Sequence, residues 1–234
     1  MRGAETHRAT GAVALERRWI GPVTLAWIAV AAVFAAIGAA AERLASVWPP
    51  IEARRRPASW RTVALATVAG LAAAGVAARS ELPWWATGVY LALLALLVVL
   101  TATDLEQRRL PHLVLDPLIV LAVVFVPFNP AVDPVMAIVG GVASVAFLGA
   151  LAFVVKGGLA TGDLYLVAPI GLMLGWPVIF TALFAAAFLA AGTSLALLAL
   201  RRVGMRSYIP FGPFLVGGAV LALLTDSRVL GIVR

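Results

Sequence analysis

Apolar residues run almost continuously along this chain, and only short polar stretches break them. The runs cover 20–42, 62–79, 83–103, 113–128, 132–155, 164–176, 177–200 and 211–225. Most approach the ~20 residues that carry a helix across a bilayer, whereas outer-membrane strands alternate apolar and polar positions over segments of ~10. The pattern therefore predicts an all-α, polytopic helical membrane protein with about eight transmembrane helices. The sixth run is short enough to be tilted or partly re-entrant. Gly175-Trp176-Pro177 reads as a tight turn between the sixth and seventh runs, and Trp84 and Trp85 read as an interfacial belt at the start of the third. One membrane domain is expected over 1–234, with a polar tail over 1–19 and a short basic loop over 43–61. The tail does not resemble a cleaved signal peptide, because the apolar run after it is too long and lacks a cleavage site.

Composition narrows the class further. Of the 234 residues 63% are hydrophobic and 12% charged, with mean hydropathy +1.03. A soluble domain has roughly 45–50% apolar and about 25% charged residues, so a soluble enzyme is excluded, and a disordered chain would be poorer still in apolar residues. The net charge of +7 comes from loop arginines that suit anionic headgroups, and nothing resembles a nucleic-acid module. Arg43, Arg54–Arg56 and Arg61, then Arg108 and Arg109, then Lys156, then Arg201, Arg202 and Arg206 fall in alternate loops. The positive-inside rule places those loops in the cytoplasm and both termini outside, although Arg2, Arg8, Arg17 and Arg18 in the tail oppose that orientation of the first helix. There are no cysteines, which removes disulfides, thiolate metal sites and a cysteine nucleophile.

Acidic residues in or beside membrane spans are costly and hence functional candidates. They are Glu42, Asp104, Glu106, Asp116, Asp133 and Asp163. Asp133 precedes a proline and reads as a helix cap. Asp116 reads as first-turn helix chemistry, Glu42 as an interfacial charge, and Glu106 as a loop residue able to meet a basic peptide. Asp104 instead ends an uninterrupted apolar run, and Asp163 follows Gly162 and opens another. Both sit at cytoplasmic ends of spans, so they can meet. A lone carboxylate there is more often a cap or a surface charge. Two sharing a site do not both ionise readily, so one holds a proton while the other acts as a base. Such a pair can activate water and protonate a leaving amide nitrogen, the aspartic-protease route to peptide hydrolysis. Gly162 would let backbone come close to a partner helix or substrate.

Three segments carry a family resemblance. Asp104 through Arg109, then Leu110-Pro111-His112, resembles the first aspartate motif of type IV prepilin peptidases, in which a proline follows the aspartate by seven residues. Ala160-Thr161-Gly162-Asp163 resembles that family's GxGD motif, with Ala160 at the first glycine and Tyr165 where a lysine is common. Ile209-Pro210-Phe211-Gly212-Pro213 is similar to the IPFGP stretch that opens the last span. The resemblance covers 80–225. It implies Asp104 and Asp163 as catalytic residues, and Pro111, Gly162, Pro210, Phe211 and Gly212 as active-site supports, with no metal or cofactor. It also implies a multi-pass protein of the bacterial inner membrane whose site faces the cytoplasm. The implied substrate is a membrane-anchored prepilin or pseudopilin with a basic leader, processed in the bilayer beside pilus or secretion assembly components. Many relatives also N-methylate the new terminus and carry a zinc segment with paired CxxC motifs between the first two spans. This chain lacks that segment, and Gly38 to Leu44 only faintly echoes the GSFLN-type motif. Two other readings stand beside the peptidase: a transporter or assembly scaffold that uses its carboxylates for coupling, and a catalytically reduced family member.

Overall fold

A computed structural model describes residues 22–48, 57–154, 160–201, 204 and 209–226. The polar tail, Arg54–Arg56, Lys156, Arg202 and Arg206 lie outside them, and so does the part of the charge pattern they carry. The described residues form eight α-helices and no strand: α1 (Pro22–Ala45), α2 (Trp60–Arg79), α3 (Trp84–Gln107), α4 (His112–Phe125), α5 (Pro134–Val154), α6 (Thr161–Leu174), α7 (Val178–Ala199) and α8 (Gly212–Thr225). Each falls on one of the eight apolar runs, and the chain is a polytopic helical membrane protein. Within α1 the stretch Leu25–Ala45, together with α2, α3, α5 and α7, is long and apolar enough to cross a membrane. The others are shorter: α4, α6 and α8 have 14 residues each. At ~1.5 Å per residue that is about 21 Å, against ~30 Å of hydrocarbon. A short 3-10 turn, Val126–Phe128, extends α4.

Local chemistry sets the helix ends. Ser59 and Thr62 cap α2 reciprocally: Arg61 N donates to Ser59 Oγ (3.3 Å) and Ser59 N to Thr62 Oγ1 (3.1 Å). Asp133 caps α5, its Oδ1 accepting from the amides of Val135 (2.9 Å) and Met136 (3.4 Å). Helix α3 stops where Arg108 turns left-handed at φ 54°, its amide donating to Asp104 O (2.8 Å). The tight turn after α6 rests on Gly175, at φ +66°, where a Cβ would strike Val132. Trp176 N then donates to Met136 O (2.8 Å).

The helices run up and down, so α1, α3, α5 and α7 end where α2, α4, α6 and α8 begin. Helix α1 packs on α2 and α3, α5 on α6, and α7 on α8. Small residues make the α5–α6 contact close. A Cβ on Gly140 would lie 2.6 Å from the Gly175 carbonyl carbon, and one on Gly171 2.7 Å from Gly140 O. This packing fixes α6, which carries Asp163.

A buried polar pin holds the other end of the bundle. Tyr90 Oη donates to Met173 O (3.1 Å), and Asn129 Nδ2 donates to Tyr90 Oη (3.0 Å). Removing the hydroxyl leaves Asn129 Nδ2 and Met173 O only their long mutual bond of 3.5 Å, so Tyr90→Phe is expected to lower unfolding stability by about 1 kcal/mol in detergent. Tyr90 lies 14 residues, hence about 21 Å of helix, from Asp104, so catalysis at permissive temperature should be unaffected. Equal denaturation midpoints for variant and wild type would contradict the pin.

Candidate active site

Asp104 sits in the last turns of α3 and Asp163 in the first turn of α6, at the same end of the bundle. They are only 6% and 2% exposed, yet both line one cavity of about 510 Å³. They are near enough to repel one another when both are charged.

Their surroundings differ. Ala160 N donates to Asp163 Oδ2 (3.2 Å), which caps α6 and places the carboxylate at the positive end of the helix dipole. Asp104 lies at the negative end of α3. The Gly212 amide at the start of α8 faces its carboxyl, yet Asp104 Oδ2 is buried and completes no hydrogen bond among the described residues. A buried polar atom without a partner is uncommon enough to call for an explanation, and an oxygen aimed at an incoming water or amide is one.

Glycines bring the backbone to both carboxyls. A Cβ on Gly212 would stand 2.6 Å from Asp104 Oδ2. Gly162 makes room for Leu110 of the α3–α4 connection, whose Cδ1 would lie 3.1 Å from an added Cβ. Ala160, in extended backbone at φ −84°, needs no glycine's freedom.

The other residues singled out by sequence take varied places. Pro111 starts α4 and lines the aspartate cavity. Phe211 precedes α8 and packs against the core. Pro210 lines a neighbouring cavity instead. His112 also lines the aspartate cavity, but it pairs with Asp116 (Nδ1···Oδ1 3.1 Å) and stacks edge-on with Tyr165 (5.8 Å). Glu106 is helical rather than loop, and Arg61 Nη1 donates to its Oε2 (3.3 Å). Glu42 accepts from Thr62 Oγ1 (2.7 Å). Sequence spacing did not reveal that Gln107 Nε2 would donate to Ala45 O (2.7 Å). With the Arg61–Glu106 pair, this bond ties α1 and α2 to the end of the helix bearing Asp104.

Residues 91–195, which include both aspartates, match the model of the type IV leader peptidase family. Over that stretch, a little under half of its length, the chain is similar to that family. A prepilin leader peptidase/N-methyltransferase of Bacillus subtilis (strain 168) is 27% identical over 173 residues, covering 71% of this chain and 66% of that protein. Proteins of the same name are 31% identical over 147 residues in Aeromonas hydrophila (61% of this chain, 51% of that protein) and 30% over 176 in Burkholderia pseudomallei (strain K96243) (72% and 56%). The chain thus spans about half to two thirds of the length of these curated relatives. No solved structure matches it. Helices α1, α2 and α8 lie outside the family match, so Gly212 and Arg61 do as well, while Glu106, the partner of Arg61, lies within it.

Proposed function

We propose that this chain is a membrane aspartic endopeptidase. In this reading it removes the basic leader from type IV pilin-like precursors at the cytoplasmic face of the bacterial inner membrane. The observation that carries the reading is the pair of buried carboxyls, Asp104 and Asp163, facing one cavity at the end of the bundle where Gly212 meets Asp104.

The chemistry balances on two protons. One carboxylate takes a proton from water as the water oxygen attacks the scissile carbonyl carbon. The other carboxyl, protonated, gives its proton to the amide nitrogen as the C–N bond breaks. The leader leaves with a new carboxylate, and the apolar helix keeps a new amine. The three short helices, α4, α6 and α8, all begin at this end, and each is shorter than the hydrocarbon is thick, which suits a site that water must reach. We assign only the peptidase activity of the relatives' two-part name, because these 234 residues have no cysteine for a zinc segment.

The test is reconstitution of the full chain with a precursor that has a basic leader followed by an apolar helix, with product masses read out. Cleavage at the junction is expected. An intact precursor, together with carboxylate-dependent proton flux in liposomes, would favour the transporter instead.

A further inference from the structure

Helix α1 ends in four carbonyls that have no partner within the helix. Local donors meet three of them. Ser46 N donates to Glu42 O (3.3 Å), Ser46 Oγ to Arg43 O (2.7 Å) and Trp48 N to Leu44 O (2.8 Å). The fourth, Ala45 O, accepts from Gln107 Nε2 of α3 (2.7 Å). Ala45 is fully buried, so water does not stand in for that donor, and a buried carbonyl without one is strongly disfavoured. The last residue of α1 is thus held to the last residue of α3.

The apolar seam around this bond offers little to stop α3 sliding. Four of its five buried residues are alanines, Ala41, Ala45, Ala69 and Ala102, beside Val98. Such small side chains let helices approach closely but interlock weakly. Helices α1 and α2, by contrast, meet backbone to backbone. A Cβ on Gly38 would lie 2.8 Å from Leu65 O, and one on Gly70 2.8 Å from Ala31 O. The two therefore act as one body, and Gln107 fixes the end of α3 to it. Asp104 stands one turn earlier in α3. Its Oδ2 completes no hydrogen bond among the described residues, so the carboxyl has little polar anchorage of its own and moves with the helix end. Gln107 itself does not line the aspartate cavity.

We propose that Gln107 is a positioning residue for peptide cleavage: it holds the end of α3 on the α1–α2 body and thereby sets the Asp104 carboxyl against Asp163. The inference rests on the peptidase reading, and the test separates the two. Gln107→Met keeps the length of the side chain and removes its donor, whereas Gln107→Lys changes the shape and keeps a donor. With the basic-leader precursor, Gln107→Met should lose about tenfold in kcat with KM within about twofold of wild type, since a displaced catalytic group costs rate rather than binding. Gln107→Lys should recover most of that loss. Tyr90→Phe, which breaks the distant pin, controls for stability lost without displacement of Asp104, and its kcat should match wild type. Wild-type kcat in Gln107→Met would overturn the inference even if the wild type cleaves. Equal losses in Gln107→Met and Gln107→Lys, or a loss of the same size in Tyr90→Phe, would overturn it too, because the effect would then follow general destabilisation. A precursor left intact by the wild type would overturn the peptidase reading itself, and with it any role for Gln107 in cleavage.

Discussion

Asp104→Asn and Asp163→Asn are each expected to abolish precursor cleavage while the protein still inserts and folds. Each change keeps the shape of the side chain and removes its capacity to take or give a proton. Positioned general acid–base catalysis contributes ~10²–10⁴-fold, so each variant should fall by at least ~10²-fold. Because the two groups act as a unit, the double variant should be little worse than either single one. Folding should survive for reasons particular to each site. Asn at 163 keeps an oxygen that can accept from Ala160 N, now 3.2 Å from Asp163 Oδ2, so the cap of α6 persists. Asp104 Oδ2 completes no hydrogen bond among the described residues, so its replacement breaks none there. Product mass after incubation with precursor measures the first effect, and helical signal with membrane extraction measures the second. Wild-type cleavage by both variants would return these acids to the role of caps and surface charges.

The helices were legible because a membrane imposes a simple demand on a sequence: each spanning segment must be apolar along its length. All eight helices fall on apolar runs for that reason. The same pattern showed that α4, α6 and α8 are short, since their runs 113–128, 164–176 and 211–225 are the briefest of the eight. Pro111 and the left-handed Arg108 end the neighbouring segments locally. Asp104 and Asp163 were legible as candidates because charge is scarce here and the loop pattern places both at one membrane face. What surrounds them was not. The tie from Arg61 to Glu106 crosses 45 positions and that from Gln107 to Ala45 crosses 62, and no local spacing encodes such contacts. Gly162 was expected to approach a helix or substrate; the side chain it admits is Leu110.

Gly212→Ala is expected to be nearly as damaging as loss of an aspartate, although glycine carries no chemistry. The added Cβ would lie 2.6 Å from Asp104 Oδ2, 3.3 Å from its Cγ and 3.5 Å from Leu166 Cδ2. Leu166 is fully buried and Asp104 nearly so, and a close-packed interior leaves little room to yield. The carboxyl is therefore the group that must move. A misplacement of ~1 Å at a catalytic group can cost ~10²-fold, and that is the loss expected in kcat, with insertion unchanged. Gly162→Ala is the matched comparison. Its Cβ would meet Leu110 Cδ1 at 3.1 Å, the far end of a flexible side chain in a connecting segment, and a small rotation relieves the contact. That variant should stay within about fivefold of wild type, since strain of this kind is readily absorbed outside a packed core. Parallel cleavage assays of the two variants measure the difference. Equal activities would mean that the first turn of α8 does not hold the Asp104 carboxyl, and the role of Gly212 would then reduce to helix packing.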